Sequence, residues 1–305
     1  MAQCLITKLK GIVNDDSLPK LGELIIEVNN VSSKNLELTY TGVNIRTCGN
    51  ITISNTAYDT AKSVSGTGKI FLSNEGKENQ VYEIKTWGEE GFSFPNLNSS
   101  FLKACSILYI SNKGYDTPLA RSKNRINISN TNVIGEYADF KDSEIISLSN
   151  STWNGGEVFD LDKLPNSSKT TLIELSKMNV KGDISRLNAT NYPKVTSLKF
   201  WGNKNAEGLH GDISKLTPNG SLVYLTRSSA GYSWSDRPSN YKVLAMSNAN
   251  LNGDIDKMLI NQASLEVGSS YEYKNIGVIG TRTSASDAAV ATLQDKGFTI
   301  IVTPA

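Results

Sequence analysis

A single histidine, His210, and three cysteines, Cys4, Cys48 and Cys105, leave this 305-residue chain poor in the groups that bind metals or attack substrates. The cysteines are too widely spaced for a C-x-x-C pair, which argues against a His/Cys metal cage and against a disulfide framework. An excess of one charge is also lacking. With 31 basic and 30 acidic residues the formal net charge is +1, so no chain-wide field draws the protein to nucleic acid or to an anionic membrane. No apolar run approaches the ~18 residues that a membrane-spanning helix needs. Residues Met1 to Lys10 lack the apolar stretch of a secretory signal. The expectation is a protein without membrane insertion and without a visible export signal.

What the chain has instead is Asn and Ser, 67 positions between them, against 38% apolar and 20% charged residues. That is the composition of a turn-rich β protein. One phrase recurs: two alternating apolar residues followed by Ser-Asn. Copies begin at Ile51, Ile70, Leu108, Ile126, Ile146 and Leu244, with looser ones at Ile173 and Leu198. Period-two apolar spacing closed by Ser-Asn reads as a short strand entering a turn. Two of the intervals, 38 residues after Ile70 and 46 after Leu198, are near twice the others, and each is expected to hide a degenerate copy. In the better copies an apolar residue, a Gly and another apolar residue follow at fixed offsets, as in Val180, Gly182 and Ile184 or Leu251, Gly253 and Ile255. Gly-Asp-Ile closes three copies, at Gly182, Gly211 and Gly253.

From about Ile51 to Ile279 this pattern resembles a leucine-rich repeat, whose units of about 20 to 29 residues combine a strand, an Asn turn and a convex-side apolar residue. It departs from that family where Asn falls one position early, leaving Met178, Ala249, Thr131 or Ser151 at the expected Asn position. The fold expected is mostly β with short helices: a leucine-rich-repeat-like solenoid of parallel strands over residues 47–280. A parallel β-helix or an ordinary sandwich or barrel would bury the same apolar positions. Residues 1–46 carry no copy of the phrase and form a separate N-terminal β element. Residues 281–305 form a C-terminal cap, with Ser286 as helix N-cap, Gly297 as the stop and a last strand from Phe298 to Val302.

Both ends carry a second resemblance. Cys4 to Gly11, Leu18 to Gly22 and Leu293 to Ile300 are similar to the termini of virion proteins from tailed phages of Bacteroides, the crAss-like group among them. The resemblance spans about 40 residues and implies a structural or appendage protein of a phage particle.

Catalytic readings are thin. His210 sits in Gly208, Leu209, His210, Gly211 without a nucleophile signature and reads as a surface-loop residue. Asp15, Asp16, Glu89 and Glu90 offer carboxylates to a glycosidase mechanism, but adjacent carboxylates on a loop are usually solvated. Asp183, Asp212 and Asp254 would stack into a ladder, yet one Asp per unit falls short of a calcium site and reads as a turn cap. Gly66-Thr67-Gly68 lacks the Lys-Ser/Thr of a phosphate loop and reads as a turn. No cofactor or metal is implied.

Trp201, Trp234, Tyr224 and Tyr232 are the candidate partner contacts, because they fall beside the strand ends rather than on the alternating apolar positions. Trp153 falls on a core offset. Leu24, Ile25 and Ile26 are the candidate attachment segment, a strand before the phrases that must pair or offer its edge. The function expected is non-catalytic: a phage virion component, homo-oligomeric with other virion subunits, that attaches through its N-terminus and presents a surface to a host glycan or protein. The alternatives are a leucine-rich-repeat adhesin at the bacterial cell surface and, third, a polysaccharide depolymerase.

Overall fold

The computed structural model describes residues 23–31, 37–41, 44–55, 62–73, 83–87, 92–96, 107–111, 116–119, 125–203, 208–217, 220–225, 231–235, 239–251, 253–267 and 274–304. The fold is mostly β, with two α-helices and short 3-10 turns among the described residues. The chain divides into two compact units, Met1–Asp139 and Phe140–Ala305.

The first unit holds β1 (Leu24–Val31), β2 (Glu37–Thr41), β3 (Asn44–Asn55), β4 (Lys62–Ser73), β5 (Glu83–Trp87), β6 (Phe92–Asn96), β7 (Ile107–Ser111), β8 (Asp116–Pro118), β9 (Arg125–Ser129) and β10 (Asn132–Ile134). β3 and β4 form a long antiparallel hairpin from Asn44↔Ser73 to Asn55↔Lys62. The phrases that begin at Ile51 and Ile70 therefore lie in an antiparallel pair and do not open the parallel series expected from residue 47. Alternation is blind to strand direction, which is why the two looked alike in sequence. Gly66-Thr67-Gly68 is likewise within strand β4, not a turn. A Cβ on Gly66 would stand 1.9 Å from the Asn50 carbonyl oxygen, so glycine there lets the two backbones close.

Parallel pairing in this unit begins at β5. β2 pairs with it antiparallel, but β5, β7 and β9 pair parallel in chain order, with Ile84 opposite Leu108 and Leu108 opposite Ile126. A strand thus stands inside the 38-residue interval. β1 pairs antiparallel with β4 on one edge and β6 on the other. Leu24, Ile25 and Ile26 are all buried. Three consecutive apolar residues suit a strand covered on both faces, and this one offers no free edge for attachment.

The second unit holds β11 (Ile145–Ser147), β12 (Thr152–Trp153), β13 (Phe159–Asp160), β14 (Leu172–Glu174), β15 (Val180–Asp183), β16 (Ser197–Lys199), β17 (Leu209–Asp212), β18 (Ser221–Leu225), β19 (Tyr232–Ser233), β20 (Lys242–Asn250), helix α1 (Ile255–Ser264), β21 (Asn275–Ile279), helix α2 (Asp287–Asp295) and β22 (Thr299–Thr303). Seven of these strands pair parallel in chain order, through Ile146↔Ile173, Ile173↔Leu198, Leu198↔Leu222, Leu222↔Val243, Met246↔Ile276 and Ile276↔Ile300. β18 occupies the 46-residue interval. A second parallel ladder runs β13, β15, β17, β19. Between the ladders lie Ile146, Leu148, Ile173, Leu175, Leu198, Phe200 and Val243, all buried. Trp153 is core as its offset required, its ring 5.2 Å from Phe159 and 5.8 Å from Phe140.

The Ser-Asn phrase has a backbone cause. Its fifth residue is left-handed wherever it is described in a parallel strand's exit: Asn130, Asn150 and Lys177 at φ 56°, Asn248 at 51° and Gly202 at 64°. Asn and Gly are the residues that tolerate this conformation, which turns the chain off the strand. The shift of Asn by one place follows: the residue is chosen for its backbone rather than to cap from the leucine-rich-repeat position.

The Gly-Asp-Ile phrases cap as expected at two of three sites. Asp183 accepts from the Ser185 N–H (2.8 Å) and Asp212 from the Ser214 N–H (2.9 Å), each opening a 3-10 turn. Asp254 instead accepts from the Trp234 N–H (3.0 Å) and precedes α1. Buried tyrosines tie successive turns together: Tyr192 donates to the Pro165 carbonyl (2.7 Å) and Tyr241 to that of Ser221 (2.9 Å). Burial pushes both phenols far up, which keeps them donors.

The C-terminal helix and strand stand where Ser286, Gly297 and the Phe298–Val302 run place them. Ser286 does not cap its helix, however; its hydroxyl donates to Asp256 Oδ1 at 2.5 Å.

Candidate functional site

Side chains alternate along a strand, so the partners of the buried Ile146, Ile173 and Leu198 face the other way. These are Ser147, Glu174 and Lys199, which the parallel register sets side by side on β11, β14 and β16. Glu174 bridges the other two. Its Oε2 lies 3.7 Å from Lys199 Nζ and accepts from the Ser147 hydroxyl at 3.4 Å. The row is polar and charge-balanced; Glu174 and Lys199 are part-exposed, while Ser147 is buried beside them.

Trp201 extends the row. It follows the buried Phe200, and alternation turns its ring outward, where it is 46% exposed. Lys177, from the preceding turn, lies over the ring with its Nζ 4.3 Å from the centroid, a cation–π contact. The same lysine donates its backbone N–H to the Trp201 carbonyl at 2.5 Å. Among the described residues, Lys177 is the one left-handed fifth residue that is neither Asn nor Gly, and a long side chain held there is backbone strain at the edge of an exposed aromatic. An indole face, a cation beside it and a Glu–Lys pair can stack on an apolar or sugar surface while hydrogen-bonding hydroxyls or charges around it.

The other candidates separate from this face. Tyr232 and Trp234 are 1% and 2% exposed; their rings are core and present no contact surface, because Tyr232 lies in β19 and Trp234 directly after it, where the second ladder closes on the interior. The side chain of Tyr224 lies outside the described residues. His210 belongs to β17, opposite Asp183, and is half-buried rather than in a loop. Asp15, Asp16, Glu89 and Glu90 fall outside the described residues. Lys177, Glu174, Lys199 and Ser147 had no sequence signal as single residues. The register of Ile173 on Leu198 is what brings them together, and the matching phrases already implied that register.

Among the described residues, no group of three or more His, Cys, Asp and Glu side chains could hold a metal ion. No helix there is long and apolar enough to cross a membrane. Cys48, in β3, is disulfide-bonded, contrary to the expectation from cysteine spacing. Distance along the chain sets no limit once strands fold back on each other. Comparison with family models, curated proteins and solved structures finds no match to this chain.

Proposed function

We propose that this protein is a non-catalytic structural and binding component, a leucine-rich-repeat-like solenoid of a phage virion that presents the Trp201 face to a partner on the host surface. The observation that carries the reading is the pairing of Lys177 with Trp201 on the outward face of in-register parallel strands, where a large aromatic is kept exposed beside a strained lysine. Stacked units with one outward row form the extended surfaces that such scaffolds use for recognition. The disulfide at Cys48 supports a working environment outside a reducing cytosol, as for a released particle. The termini that resemble Bacteroides phage virion proteins supply the setting.

The test is binding of the labelled chain to intact host cells, compared with Trp201→Ala. An exposed aromatic anchor carries enough energy that its loss should weaken binding by about tenfold or more. Equal binding by both proteins, with unchanged melting curves, overturns the assignment of this face. Loss of binding after enzymatic removal of the surface polysaccharide identifies a glycan partner, and loss after surface proteolysis identifies a protein.

A further inference from the structure

The last strand, β22, ends the sheet of the second unit. It pairs parallel with β21, and Thr299 and Thr303 turn their backbone groups toward that neighbour: the Thr299 N–H donates to the Lys274 carbonyl and the Gly280 N–H donates to that of Thr303, both at 2.8 Å. Backbone groups alternate sides along a strand, so the N–H and C=O of Ile300 and Val302 point to the outer edge, where no strand pairs among the described residues. The side chains report the same opening. Ile276 and Val278 of β21 are fully buried, whereas Ile300 and Val302, one layer further on, are half-exposed and Ile301 is 48% exposed.

We propose that the outer edge of β22 is a homodimer interface, formed by antiparallel pairing with β22 of a second copy about a two-fold axis at Ile301. The strand is self-complementary. Rotated on itself, Thr299 meets Thr303, Ile300 meets Val302 and Ile301 meets Ile301, with no charge brought against a like charge. The backbone agrees with the axis: Ile300 and Val302 of the two copies form two hydrogen-bonded pairs, four N–H···O bonds, around a central non-bonded Ile301 pair. The nearest lysines are engaged elsewhere, Lys296 Nζ with the carbonyls of Ala263 and Leu265 and Lys274 Nζ with that of Lys296. Pro304 stands at the next outward position, has no N–H, and ends the ladder, which disfavours sliding to another register. The pairing would also bury the half-exposed Ile300 and Val302 against each other and close the last layer of the core.

The experiment is the mass in solution of the full chain and of two single variants, Ile301→Lys and Ile301→Glu. Ile301 is exposed on the outward face, so both substitutions leave the core intact, and thermal melts read folding separately. At about 100 µM, where a micromolar contact is populated, the parent chain should have twice the 33.1 kDa chain mass. Each variant alone should be a monomer, because like charges face each other at the axis. An equimolar mixture of the two should regain the dimer mass. A monomeric parent chain, variants that dimerise as the parent does, or a mixture that stays monomeric each overturns the proposal; a monomeric parent would leave the edge to a different partner strand. The result is independent of the Trp201 face, which lies on other strands.

Discussion

Gln262 of α1 stands in for a backbone partner of Tyr241 and Val243 at the start of β20: its Oε1 accepts from the Val243 N–H at 2.8 Å and its Nε2 donates to the Tyr241 carbonyl at 2.9 Å. The side chain is buried and both of its polar ends are satisfied there. Gln262→Met keeps the volume and strands two buried backbone groups, each worth about 1–3 kcal/mol when unpaired. The variant should lose about 2–5 kcal/mol in denaturant melts, and the Val243 amide should exchange its hydrogen faster.

Gly211 and Asp183 are coupled across consecutive turns. Gly211 has φ +108°, and a Cβ there would stand 1.9 Å from Asp183 Oδ1, the oxygen that caps the Ser185 N–H. Gly211→Ala should cost at least about 2 kcal/mol, from backbone strain plus a disturbed cap. Asp183→Ala alone should cost about 1 kcal/mol. In the double variant the obstructing carboxylate is gone, so its loss should be smaller than the two single losses combined. Strict additivity in chemical denaturation would show that the two residues do not share the turn.

Lys177→Asn separates stability from recognition. Asparagine is the residue this chain itself uses at three equivalent left-handed positions, and relief of strain should offset loss of the exposed cation–π contact, each about 0.5–1 kcal/mol. Stability should therefore stay within about 0.5 kcal/mol of the parent, while binding to host cells through the proposed Trp201 face should fall severalfold. Binding that follows stability alone would remove Lys177 from the contact face.

Much of the fold was legible because the apolar alternation and the left-handed fifth residue are both written in residue type. Ile126 and Ile128, Ile146 and Leu148, and Leu244 and Met246 are buried as their spacing requires, and the Asn that follows each pair turns the chain. Strand direction is not written in that way, which is why the hairpin of β3 and β4 passed as part of the parallel series. Helix α1 was hidden for a different reason. Ile255, Met258, Leu259 and Gln262 have helical spacing, but they follow a Gly-Asp-Ile phrase that elsewhere opens only a 3-10 turn. Of the proposed contacts, Trp201 was legible from alternation after Phe200. Tyr232 and Trp234 were not, because the second ladder that encloses them comes from pairing between distant short strands.

The disulfide at Cys48 makes the first unit sensitive to reductant. Among three cysteines, thiol counting in denaturant should find one reactive group before reduction and three after it. Reduction should lower the stability of the protein by about 2–4 kcal/mol, the usual worth of a closed loop. Three reactive thiols without reduction would remove the argument for an oxidising environment.

Asp256 makes the junction of α1 with the turn before α2 pH-dependent. Desolvation raises the pKa of its carboxyl, but hydrogen bonds from the Ser286 and Thr283 hydroxyls and the Thr283 N–H, with the Arg282 guanidinium nearby, outweigh it and hold the pKa below the ordinary 3.8. A group whose pKa is lower in the folded state stabilises that state while ionised. Its contribution is complete above the unfolded value and is lost as the pH falls through the folded one. Asp256→Asn should thus melt below the parent at neutral pH, and the gap should narrow as the pH drops beneath about 4, where the parent carboxylate itself becomes protonated. Thr283→Ala removes one of the donors and should shift the parent's acid transition to higher pH. A gap between parent and Asp256→Asn that stays constant from neutral to strongly acidic pH would show that the ionised carboxylate does not hold these two segments together.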